Sequence, residues 1–119
     1  MNKEFIHYEQ ALELKELGYN VQYFGEYFEM DGEKYIVDDK HARDGWWLEQ
    51  AEELNVNAVL YQQAFRWFRE KYNLIMHIQR HSNNKYLACM GIQVEILCDT
   101  YEEAELACLK KLIEIVKNK

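Results

Sequence analysis

Histidines, carboxylates and thiols are the side chains through which this chain could do chemistry, and their spacing decides how much each can do. His77 and His81 stand four apart, the interval at which two histidines on one helix share a metal ion. Their segment, however, alternates with a period of two, and in a strand four residues span roughly 13 Å. They are expected to share a face but not an ion. His41 lies among Asp38, Asp39 and Asp44, donors suited to a hard or borderline cation. No second ligand group at regular spacing joins them, and a solvated polar loop accounts for the same residues.

Cys89, Cys98 and Cys108 are odd in number, show no C-x-x-C spacing and sit in apolar patterns. They read as buried structural thiols in a reducing compartment. Along one straight strand, Cys89 and Cys98 would be too far apart for a disulfide. Ser82 is the only serine and falls in a turn, and the chain has no G-x-S-x-G elbow, Walker loop or G-x-G-x-x-G run. The pairs Glu52-Glu53 and Glu102-Glu103 read as helix-surface or capping groups. No catalytic residue, metal ligand or cofactor is therefore assigned. The binding candidates are aromatic: Trp46 and Trp47, adjacent in a polar stretch, with Tyr61 and Trp67, because tryptophan dominates interaction hot spots. Packing of one tryptophan on the core while the other lies across the surface is the competing reading.

These residues belong to a chain of 119 residues with 14 basic and 21 acidic side chains, net charge −7. That balance argues against a phosphate-binding surface, so direct nucleic-acid binding is not expected. Arg66, Arg69 and Lys71 are close together but interrupted by Glu70, as on a solvated helix face. With 49% apolar residues the chain is expected to fold, and no apolar run is long enough to span a bilayer. The start, MNKEFIHYEQ, lacks the apolar core of a signal peptide. A cytoplasmic setting without membrane attachment follows as the expectation. Having no proline and only 5 glycines, the chain offers no linker signal, and residues 1–119 are read as a single domain.

The best-specified element is Thr100 to Val116. Thr100 and Glu103 make a T-x-x-E capping box, and acids precede lysines along it, which suits the helix dipole. Leu106, Leu109, Ile113 and Val116, widened by Cys108, Leu112 and Ile115, form its apolar face. Residues 8–17 predict a shorter helix ended by Gly18, with weak capping by His7. From Val21 to Val37, aromatic and β-branched residues flank Asp31-Gly32, which predicts a two-residue type I′ hairpin. Its register sets Met30 against Glu33, Glu29 against Lys34, Phe28 against Tyr35 and Tyr27 against Ile36, with Gly25 marking a bulge or a close backbone approach.

Residues 38–57 are the least regular, with a short helical turn expected over Glu49–Leu54. A second helix is predicted from Val59 to Tyr72, with an aromatic stripe of Leu60, Ala64, Phe68 and Tyr72 flanked by Tyr61, Phe65 and Trp67, which reads as a core face, with an exposed groove that receives a partner as the alternative. Two strands follow, 74–81 and 86–98, with apolar residues on even positions. A three-residue loop at Ser82-Asn83-Asn84 with a left-handed asparagine pairs Ile78 with Ala88 and Met76 with Met90, whereas a two-residue turn would send one apolar set to water. The predicted order is α-β-β-α-β-β-α, an α+β fold with an antiparallel sheet covered by helices on one face.

Three segments, YEQALELKELGY, LYQQAFRWFREKYNL and TYEEAELACLKKLIEIV, together resemble a group of short uncharacterised proteins of phages and prophage-like regions in Bacteroidetes-type bacteria. That resemblance covers roughly half the chain and carries no catalytic motif. It implies a mobile-element setting, in which small acidic proteins serve as accessory or host-directed factors. The expectation is thus a non-enzymatic phage or prophage accessory protein acting through a protein partner, with homo-oligomerisation as one form of that. The alternatives are a small metal-binding, ligand-binding or enzymatic domain using residues 38–47, or an acidic mimic of nucleic acid.

Overall fold

A computed structural model describes residues 4–19, 25–38, 52–90 and 94–118. The chain is α+β and divides into two units, Met1–Leu60 and Tyr61–Lys119. The first carries α1 (Tyr8–Glu16), β1 (Gly25–Met30), β2 (Glu33–Asp38) and β3 (Glu52–Ala58). The second carries α2 (Tyr61–Tyr72), β4 (Met76–His81), β5 (Lys85–Met90), β6 (Val94–Cys98) and α3 (Tyr101–Lys117). Two three-stranded antiparallel sheets result, in the orders β2-β1-β3 and β4-β5-β6, where the sequence predicts one.

In the first unit the Asp31-Gly32 turn has both central residues left-handed, φ 54° and 81°, as a type I′ turn requires. The predicted hairpin register holds at every pair from Met30↔Glu33 to Tyr27↔Ile36. Gly18 ends α1 with φ 94°, and Tyr19 N–H reaches back to the Leu14 carbonyl. His7 supplies no side-chain cap. The helical turn expected over Glu49–Leu54 is overturned where it can be checked: residues from Glu52 form β3, paired antiparallel to β1. Glutamates and asparagines give this segment little strand propensity of its own. A partner about a quarter of the chain away makes it a strand. Between Glu26↔Asn57 and Phe28↔Glu53 the register shifts, so a longer stretch of β3 spans a shorter one of β1 and the ladder bulges opposite Tyr27, while Gly25 itself stays in regular pairing with Ala58.

Inside this unit Tyr27 is fully buried, stacks edge-on against Tyr8 with ring centres 5.4 Å apart, and donates its hydroxyl hydrogen to the Ile6 carbonyl. Ile6 N–H bonds the Val59 carbonyl at 2.8 Å, and Phe5 bridges Leu60. Ile6, Leu14, Val56, Ala58 and Val59 are buried with it.

The second unit begins with α2, two residues later than predicted, because Val59 and Leu60 are held in extended backbone by these bonds to the start of the chain. Asn73, with φ 56°, turns the chain out of the helix, and Leu74 N–H closes it on the Phe68 carbonyl. The loop Ser82–Asn84 has Asn83 and Asn84 left-handed and pairs Ile78 with Ala88 and Met76 with Met90, as the parity argument requires. The predicted strand from 86 to 98 is instead two strands, β5 and β6, which pair Tyr86↔Cys98 through Met90↔Val94. Gly91, just beyond β5, was the available sign of a break.

Thr100 caps α3, its hydroxyl accepting the Glu103 N–H at 3.1 Å, while the Glu103 carboxylate accepts the Asp99 N–H at 3.3 Å. The return bond thus falls one residue before the cap. α3 packs over β5 and reaches β4, β6 and α2. Its buried face is Ala104, Glu105, Cys108, Leu109, Leu112 and Ile113. Ala104, Cys108 and Ala88 are fully buried, and the stripe lies closer to the helix start than the leucine spacing alone predicts.

Candidate functional site

Trp46 and Trp47 lie outside the described residues, as do Asp39, His41 and Asp44. Tyr61 and Trp67 are described, and both face inward, with 4% and 7% of their surfaces exposed. Trp67 packs edge-on against Phe68 at 5.1 Å and Tyr72 at 5.3 Å, and Tyr61 lies 5.9 Å from Phe65. Burial pushes the Tyr61 hydroxyl up to about 12, with the nearby Glu105 carboxylate adding to the shift. The aromatic stripe of α2 is a packing face.

On the outer side of α2, Arg66 pairs with Glu70 at 2.9 Å, and Lys71 lies over the Trp67 and Tyr72 rings at 5.2 and 5.7 Å. Those partners temper the positive charge that a phosphate would need. Among the described residues, no group of three His, Cys, Asp or Glu side chains could hold a metal ion. The three cysteines are free thiols, and Cys89 and Cys108 are buried while Cys98 is half-buried. Burial raises all three, with acidic neighbours adding, and Cys108 is pushed up to about 12. A thiol held protonated is a poor nucleophile and a poor metal ligand.

His77 and His81 share one face of β4, as the period of two predicts, and both are exposed. The pairing adds what single-strand reasoning missed. Across the sheet His77 stands beside Cys89 and Glu95, Gln79 beside Leu87 and Leu97, and His81 beside Lys85, which pairs with Asp99. These odd positions form the face turned away from α3. Leu97 is 53% exposed there, and Ile75, at the same parity just before β4, is 61% exposed. The signal was legible in the odd parity of Leu87 and Leu97, but only once β5 and β6 are separated do they fall in one row.

No helix among the described residues is long and apolar enough to cross a membrane. No family model matches the chain, and no curated protein or solved structure matches it either.

Proposed function

We propose that the chain is a non-enzymatic accessory protein of phage or prophage origin, cytoplasmic in setting, that acts by binding another protein. The observation that carries this reading is the exposure of Leu97 beside Leu87 on the face of β4-β5-β6 turned away from α3. Exposed large apolar side chains in adjacent positions can mark an interaction site. The raised thiols support it from the other side, since the strongest nucleophiles in the chain are held in their unreactive form. The resemblance of three segments to phage and prophage proteins supplies the setting.

Trp46 and Trp47 are the residues to test for a heterologous partner. Replacing both with alanine leaves the circular dichroism spectrum and urea midpoint unchanged and abolishes co-purification of the partner from cells carrying the element. Retained co-purification would remove this pair from the binding surface.

A further inference from the structure

We propose that the outer edge of β6 is a pairing edge at which a second copy of this chain adds its own β6, antiparallel, joining two three-stranded sheets into one of six. This rests on the protein-binding reading and gives it a partner at a surface of its own. It stands on the described second unit alone.

β6 ends the order β4-β5-β6, so one side of its backbone bonds β5 and the other meets no strand among the described residues. Such an edge presents a row of open N–H and C=O groups, a template for another strand, and natural sheets guard it with charge, proline or a cover. The other three edges carry charge. β4 has Arg80 with two polar histidines, β2 has Glu33, Lys34 and Asp38, and β3 has Glu52 and Glu53. β6 reads Val94-Glu95-Ile96-Leu97-Cys98, a single charge among apolar residues and no proline. Its side chains also stop short of burial. Towards α3, Ala88 and Met90 of β5 are buried, while Val94, Ile96 and Cys98 one strand further out are only half-buried. On the opposite face Leu97 is 53% exposed. The apolar layer under α3 therefore reaches the edge without being closed there.

The strand's own sequence selects the occupant. An incoming strand has to offer apolar residues at every second position, towards α3, and set no like charge against Glu95. β6 meets both conditions. A two-fold axis through Ile96, normal to the sheet, sets Ile96 against Ile96, Val94 against the second copy's Cys98, and Glu95 against its Leu97. Every position is paired and no like charges stand opposite. The same operation on β4 sets Arg80 against Met76 when centred on Ile78, and against Ile78 when centred on Gln79, so either choice presses a guanidinium onto an apolar side chain. The axis through Ile96 also keeps both α3 helices on one face. With strands about 4.8 Å apart, the two β5 strands and the helices over them lie roughly 14 Å apart, which leaves room for helices of about 10 Å diameter side by side.

Short strands limit the strength. An antiparallel pair of this length forms about four to six main-chain hydrogen bonds, so the dimer is weak and concentration-dependent. No ion pair takes part, and salt screens the repulsion between two chains of net charge −7, so salt does not weaken it.

Sedimentation of the full chain over a concentration series, at low and high salt, tests this together with disulfide trapping, on variants whose circular dichroism is checked first. Wild type moves from monomer to dimer with rising concentration at both salt levels. Ile96→Lys sets like charges together at the axis and weakens the dimer by about tenfold or more. Trapping reads the register at two exposed positions. In a Cys98→Ser background, mixed Glu95→Cys and Leu97→Cys chains with oxidised glutathione give a cross-linked dimer containing one of each, because these positions face each other at Cα separations of about 4.5 to 5.5 Å. Either variant alone gives almost none, since its two thiols stand on a diagonal roughly 7 to 8 Å across. A chain that stays monomeric at every concentration, a dimer as strong in Ile96→Lys as in wild type, or single variants that cross-link as readily as the mixture each overturns the proposal. Should Ile96→Lys fail to fold, the trapping decides by itself. Loss of partner binding in the Trp46 and Trp47 variants with sedimentation unchanged bears on the heterologous reading alone, so the two fail separately.

Discussion

At the scale of single residues, short-range chemistry accounts for what is best defined. Thr100 satisfies an amide that the first turn of α3 would otherwise leave unpaired, and Glu103 answers it by holding the amide of Asp99. Lys85 crosses to Asp99 at the same corner, and Tyr86 and Tyr101 pack edge-on with ring centres 5.8 Å apart. The Lys85–Asp99 pair is exposed, and such pairs contribute little, so the cap is the stronger restraint on where the helix starts. Thr100→Ala is expected to lower stability by about 1 kcal/mol, read from the urea midpoint at constant slope. An unchanged midpoint would mean that the corner is held by the packing of Tyr101 and not by the cap. Tyr27 shows a different use of one side chain: its ring fills the first core while its hydroxyl holds the Ile6 carbonyl, fastening the start of the chain to the sheet.

At the scale of elements, turns decide register, and register decides which face is buried. Asp31 and Gly32 both adopt left-handed backbone, and only with that geometry do Glu29 and Lys34 oppose each other beside Tyr27 and Ile36. No atom lies within 4 Å of where a side chain at Gly32 would begin, so any cost of adding one is conformational and not steric crowding. Gly32→Ala is expected to cost about 1 kcal/mol, again from urea unfolding. A variant as stable as wild type would show that the turn tolerates another conformation. The asparagine loop before β5 works by the same logic: two left-handed residues, Asn83 and Asn84, hold the even residues of β4 opposite the even residues of β5. β3 has no such local device. Its residues are Glu, Leu, Asn, Val and Ala, and the bulged pairing with β1 makes it a strand.

At the scale of the whole molecule, buried ionisable groups tie stability to pH. Burial raises Cys108 from 9.0 and Tyr61 from 10.0, each to about 12, and Cys89, Cys98, Tyr19 and Tyr101 move the same way. The folded chain therefore keeps protons that the unfolded chain releases. Stability from this source is fully present below about pH 9 and is lost as pH rises towards 12, at about 1.4 kcal/mol per pH unit for each proton by which the states differ. Urea unfolding between about pH 8 and pH 10 is expected to show a falling midpoint, with Cys108→Ala removing the earliest part of the fall. A flat midpoint would place these groups in contact with water. The capping box, the two left-handed turns and the parity of β4 against β5 were determined by the sequence itself, because each depends on residues a few positions apart whose backbone preferences need no distant partner. Tertiary structure alone decided that Glu52–Ala58 is a strand and that residues 86–98 make two strands. It also decided that His77, Cys89 and Glu95 stand in one row. Those outcomes rest on pairing and burial between residues far apart in the chain, where local preference is weak and the free energy of the partner's surface determines the result.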